Sequence, residues 1–334
     1  MLIDKAELLK TLRAVEKFDT NASPYVAVML PDDAAPLFYR SSAFGFIQSK
    51  DFGGSAVTNV SLSHLKDCLN VLREDKVEVT TDLNGVLKIA STDNTFDSEL
   101  RVHTVTPAQA ALKVHDVGDI TIRFESTVFQ GIDTTPFKTK TPPVLANGRL
   151  MLATSDAVVI WDGPDSLKQA TSQPRDSFLR AAAGNAAVEQ VVLTAKNYWG
   201  VVVNGLVLFN YGHTLGRELF DVYAVPSSEL VKLPADRLIY ALRAAAGLVG
   251  DKDRVEIDPK NGVTARNRFG SEAKFSLGGT TGWNKFGIFG GTAQAIVDAL
   301  SQSKDEEAVL SSVPMIHPTL RLRRGPFEVN FKVI

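Results

Sequence analysis

The 334 residues carry 36 Lys and Arg against 38 Asp and Glu, a net charge of −2, so any attraction to nucleic acid must come from local arrangement of the cations. One cysteine, Cys68, excludes an internal disulfide framework and a cysteine-rich metal site. Charges interrupt the apolar residues of the N-terminus and no later stretch reaches about 18 apolar residues, so the expectation is an intracellular, cytoplasmic chain without a membrane span.

In chain order the first predicted helix is "KAELLKTLRAVEK". At about 100° per residue, Leu8, Leu12 and Val15 share one face, and Lys10, Arg13 and Lys17 share the opposite one. Strands follow in "YVAVML", "PLFYR" and "FGFIQS". The second helix, "SHLKDCLNVLRED", sets Lys66 and Arg73 beside an apolar stripe of Leu65, Leu69 and Leu72. A hairpin around Asn84-Gly85 and the strand "FDSELRVHTV" come next. The third helix is predicted over "FESTVFQGIDTT", ahead of Asn147-Gly148 and "SDAVVIWDG". The fourth, "RDSFLRAAAGNAA", turns Arg180 away from Phe178 and Ala182 and precedes Asn204-Gly205. The fifth, "ADRLIYALRAAAGLVG", carries Arg237 and Arg243 and precedes Asn261-Gly262 and "SEAKFSLGG". The last, "TAQAIVDALSQS", leads into "EEAVLSS", "TLRLRR" and "FEVNFKVI".

Asn-Gly accepts positive φ at both turn positions, so each of the four pairs predicts a two-residue type I′ hairpin. The order of helix and hairpin therefore repeats six times, in units too small to bury a helix and a sheet face alone. Pairing adjacent units predicts an α+β chain of three similar domains, 1–107, 108–226 and 227–334. The boundaries fall where Pro, Ser and Ala interrupt the patterns, in "VTPAQAALKVHD" and "AVPSSELVK".

Cations thus collect on helices, while acids gather at Asp32 and Asp33, at Asp93, Asp97 and Glu99, and at Asp305, Glu306 and Glu307. That separation suits contact with phosphates without base readout. No Walker A sequence, metal-binding histidine spacing or nucleophile elbow occurs, so no enzyme and no cofactor are expected. "GIFGGTAQ" reads as a tight strand-to-helix turn, and Cys68 as a core thiol.

Three domains of paired helix-and-hairpin units with basic helices resemble the bacterial beta sliding clamp, the processivity factor of replicative DNA polymerase. "GRLMLATSDAVVIW" is similar to the family's middle-domain strands beside its partner pocket, and "VYAVPSSELVKLPADRLIYALRAAAGLV" to its link into the third domain. Ser155-Asp156-Ala157 stands where the family has a basic-aromatic signature. The resemblance, suggesting a divergent or phage-encoded member, implies a head-to-tail homodimeric ring around duplex DNA that tethers polymerase and clamp loader through short peptide motifs. It implies DNA contact by Lys10, Arg13, Lys17, Lys66, Arg73, Arg180 and Arg243. It places the partner pocket at Thr154, Ala157, Val158, Val225, Pro226, Val333 and Ile334, and the dimer interface at Phe96 and Leu100 against Leu248 and Val249. The alternative is a β-rich phage structural or assembly protein.

Overall fold

The computed structural model describes residues 2–16, 25–29, 37–40, 43–47, 57–72, 75–81, 87–91, 99–102, 119–137, 139, 141–184, 186–203, 206–210, 226–278, 283–315 and 317–334, and among these described residues short strands accompany five α-helices. The chain opens with β1 (Leu2–Asp4), α1 (Lys5–Glu16), β2 (Tyr25–Met29), β3 (Leu37–Arg40), β4 (Ala43–Ile47) and β5 (Val57–Ser61). There follow α2 (Leu62–Val71), β6 (Lys76–Thr81), β7 (Leu87–Ser91), β8 (Glu99–Val102) and β9 (Ile120–Glu125). The middle holds β10 (Val144–Ala146), β11 (Arg149–Ala153), β12 (Ala157–Asp162), α3 (Asp176–Gly184), β13 (Gln190–Thr194), β14 (Trp199–Val203) and β15 (Leu206–Asn210). The last part runs β16 (Ser228–Pro234), α4 (Ala235–Leu248), β17 (Arg254–Asp258), β18 (Gly262–Arg266), β19 (Glu272–Phe275) and β20 (Phe286–Phe289). It ends with α5 (Gly290–Leu300), β21 (Glu307–Val313), β22 (Thr319–Arg324) and β23 (Phe327–Lys332).

These elements gather into two compact units, residues 1–130 with 174–213 and residues 131–173 with 214–334. The first unit contains sheets of order β1-β6-β7-β8, β2-β15-β14-β13-β9 and β3-β4-β5. Its core is aromatic: Trp199 lies 5.5 Å from both Phe124 and Phe129 and 5.9 Å from Phe178, ring centre to ring centre. Leu12 of α1 and Leu69 of α2 are fully buried in the same unit. The second unit holds a seven-stranded sheet, β10-β11-β12-β23-β22-β21-β16, and a four-stranded one, β19-β18-β17-β20. The β12–β23 pairing joins strands from either side of the predicted boundary at 226.

Period-two alternation sends Phe327, Val329 and Phe331 of β23 to one face of the larger sheet and Glu328 and Asn330 to the other. Both sets are buried, and the polar set is satisfied by pairing. Arg321 Nε donates to Asn330 Oδ1 at 2.9 Å and stands 3.0 Å from Glu328 Oε1 in an ion pair, while Arg149 bridges Glu328 and Asp162. Arg324, 5% exposed, donates to the backbone oxygens of Leu300 and Asp305 and to Asp236, fastening the end of α5 to the first turn of α4.

Two expectations are corrected. The predicted third helix is absent: after β9 the chain makes tight turns over 126–131, with Val128 N–H bonded to Glu125 O and Gln130 N–H to Thr127 O. Thr127, Val128 and Gly131 oppose helix, and so short a segment cannot offset the nucleation cost. The Asn-Gly turns also differ from one another. Asn147-Gly148 has φ of 52° and 77° between paired Ala146 and Arg149, as predicted. At Asn261-Gly262 only the glycine has positive φ, and Asp258 pairs with Gly262 across three residues. Pro259 holds φ negative, and Asp258 Oδ1 accepts from the N–H groups of Lys260 and Asn261, closing a wider turn. Asn84-Gly85 and Asn204-Gly205 lie outside the described residues.

Candidate peptide groove and basic helix faces

The turn entering β12 is built by one side chain. Thr154 Oγ1 donates to Ala157 O at 2.9 Å and accepts from the N–H groups of Asp156 and Ala157, at 3.3 and 3.0 Å. It starts β12 beside β23, with Ala157 opposite Phe331 and Val158 opposite Asn330. At this corner a groove of about 230 Å³ is lined by Thr154, Ser155, Asp156, Ala157, Val158, Met315, Thr319, Asn330, Phe331 and Lys332. Its most buried lining residues are Ala157, Phe331 and the polar Asn330, with exposed Ser155 and Lys332 beside them. A neighbouring groove of about 460 Å³ is lined by Leu230, Trp283, Phe286, Leu310, Leu320 and Val333, among others, and shares Thr319.

The structure therefore brings Thr154, Ala157 and Val158 together and sets the C-terminal strand beside them. Val333 lines the neighbouring groove instead, and Pro226 and Ile334 line neither. Ile334 N–H bonds to Gly287 O at 2.9 Å, which carries the tail toward β20. Val225 lies outside the described residues. Phe331, Met315 and Thr319 were missed. Alternation in "FEVNFKVI" marks Phe331 as a sheet residue but not its neighbour across the ladder, which only β12–β23 pairing supplies.

On α1, Lys10 and Arg13 are exposed and Leu12 is buried, as is Leu9, which neighbours Arg13 at i−4. On α2, Lys66 is half-buried. On α3, Arg180 is exposed but paired with Asp176 Oδ2 at 2.8 Å, four residues earlier. On α4, Arg237 and Arg243 are exposed, and Arg243 donates to Ser301 Oγ at 3.1 Å. Lys17 and Arg73 lie outside the described residues, as does Phe96. Leu100 falls in β8, at the end of its sheet, and Leu248 and Val249 are half-buried at the end of α4. Burial, and then the charge of Asp67, push the Cys68 thiol up, so it is a poor nucleophile. Among the described residues no cluster of His, Cys, Asp and Glu could hold a metal ion, and no helix is long and apolar enough to cross a membrane.

No protein-family profile matches the chain, and no curated protein matches it in sequence. Solved structures do match. The DNA polymerase sliding clamp from Caulobacter crescentus superposes with a TM-score of 0.69 at 11% identity, over 100% of this chain and 98% of that one. The DNA polymerase III subunit beta from Pseudomonas aeruginosa gives 0.68 at 11%, over 100% and 99%. A sliding clamp from the same organism bound to griselimycin gives 0.65 at 12%, over 100% and 98%. At such identities the likeness is one of architecture: over its whole length, the chain has the fold of the bacterial DNA polymerase sliding clamps.

Proposed function

We propose that the chain is a DNA sliding clamp, a non-enzymatic processivity factor whose two copies close head to tail around duplex DNA in the cytoplasm. The observation that carries this reading is the fold likeness across the full length of both this chain and the clamps. In this reading the chain divides into clamp domains at 1–107, 108–226 and 227–334. Helices bearing Lys10, Arg13, Lys17, Lys66, Arg73, Arg180 and Arg243 face the phosphates, and the exposure of Lys10, Arg13 and Arg243 supports it. The groove at Thr154, Ala157 and Val158 takes peptide motifs of the polymerase and the clamp loader, and its apolar lining residues Ala157, Val158, Met315 and Phe331 support it.

The test is particle mass and shape, followed by DNA retention. The expected particle has twice the 36.2 kDa chain mass, appears as a closed ring in negative-stain images, stays on circular duplex and slides off once the circle is cut. Monomers that never close would overturn the reading, and open higher-order arrays would point to an assembly protein instead.

A further inference from the structure

We propose that the groove beside β12 selects its peptide by charge as well as by apolar fit, with a basic residue of the peptide facing Asp156 and an acidic one facing Lys332. The inference rests on the clamp reading, which supplies the peptide as occupant. Of the described residues lining the groove, only these two are charged, and they are opposite in sign. Neither forms an ion pair among the described residues. Elsewhere in the same unit opposite charges do close, as in Arg149 with Asp162, Arg321 with Glu328 and Lys285 with Glu256. Continuing the β12–β23 register by one pair would set residue 156 opposite 332, but the Thr154 turn takes Asp156 off the ladder and leaves both charges to the groove.

A simpler role for Asp156 would be as counter-charge to the start of α5, since a Cβ on Gly291 would stand 2.7 Å from its Oδ2. The first two N–H groups of α5 are already taken, however, by the carbonyl oxygens of Asp253 and Asp251, each at 2.9 Å. The Asp156 carboxylate accepts one bond, from Ser155 Oγ at 2.5 Å, and retains acceptor capacity for a cation. A volume of about 230 Å³ lies below the roughly 300–1,000 Å³ of small-molecule pockets and suits a few side chains of an extended segment.

The experiment titrates four labelled peptides into the full-length protein, reading fluorescence anisotropy. All share one leucine- and phenylalanine-containing centre, and they carry Lys or Glu at each end in the four combinations. The wild type should prefer one mixed-charge peptide by about five- to tenfold over its reversed-charge counterpart, as two partly exposed pairs allow. Asp156→Lys combined with Lys332→Glu should invert that preference, and Asp156→Asn with Lys332→Met should erase it. Equal affinity for all four peptides, or a preference that the charge-swapped protein keeps, overturns the proposal. If Asp156→Asn lowers the melting temperature without changing peptide selection, Asp156 serves α5 and the proposal also fails. Ring closure and DNA retention are measured on the same proteins. A ring without charge selection refutes only this inference, whereas absence of a ring refutes the clamp reading itself.

Discussion

Gly262 tolerates no side chain for two separable reasons. Its φ is +78°, and a Cβ there would collide with the carbonyl oxygen of Phe275 on the adjacent strand. Gly270 shares only the first, with φ of +87° and open space around it. Gly270→Ala should therefore cost about 1 kcal/mol, near the penalty of the left-handed conformation alone, and Gly262→Ala clearly more, about 3 kcal/mol once the strand must shift. Urea unfolding checks this: the midpoint should fall further for Gly262→Ala with an unchanged slope, and equal midpoints would refute the steric argument. The two turns also explain a limit of reading the chain. Asn-Gly was legible as a turn at both Asn147 and Asn261, because the pair itself tolerates positive φ. Its geometry was not, because at the second site Pro259 and the Asp258 carboxylate decide which residue takes the left-handed conformation.

At the scale of elements, part of the basic face of α1 was readable because a helix places residues by a local rule: exposed Lys10 lies about 160° around the helix from buried Leu12. The segment 126–131 was misread because Val128, Phe129 and Ile132 have helical spacing, yet they are buried from a run of turns. Spacing cannot distinguish one turn of helix from a folded loop. Arg180 shows a signal that was present and unused: Asp176 stands at i−4, the spacing of a helical ion pair. This sorts the cations. Reversing Lys10, Arg13 and Lys17 to Glu should weaken DNA association and flatten its dependence on log salt by about 2–3, near 0.9 for each phosphate no longer neutralised. Arg180→Ala should change the slope less, because its charge is already offset by Asp176. Anisotropy with a duplex across a salt series measures both, and an unchanged slope for the triple reversal would put DNA on another surface.

For the whole molecule, five of the six predicted helices were legible, since each is a short stretch of local pattern. The seven-stranded sheet was not, because its order depends on pairings such as β12 with β23, bridged also by Arg149 and Glu328, 179 residues apart. No local periodicity records that partnership. The same limit applies to contacts between copies, where sheet ends supply the argument. In one unit β8 closes a four-stranded sheet, and in the other β19 closes another, so among the described residues each has one ladder edge without a strand on it. Open edges invite uncontrolled pairing, and a head-to-tail ring removes them. The proposed interface sets Phe96 and Leu100 of one copy against Leu248 and Val249 of the next, and these last two are half-buried at the end of α4 rather than core residues of their own unit. Replacing both by Lys should leave folding nearly intact while forcing two charges to be desolvated at an apolar contact, a cost of several kcal/mol that a modest interface does not survive. Sedimentation should then show folded monomers with a near-native melting curve, and the variant should no longer be retained on circular DNA. A double variant that still sediments as a dimer would place closure elsewhere on the chain.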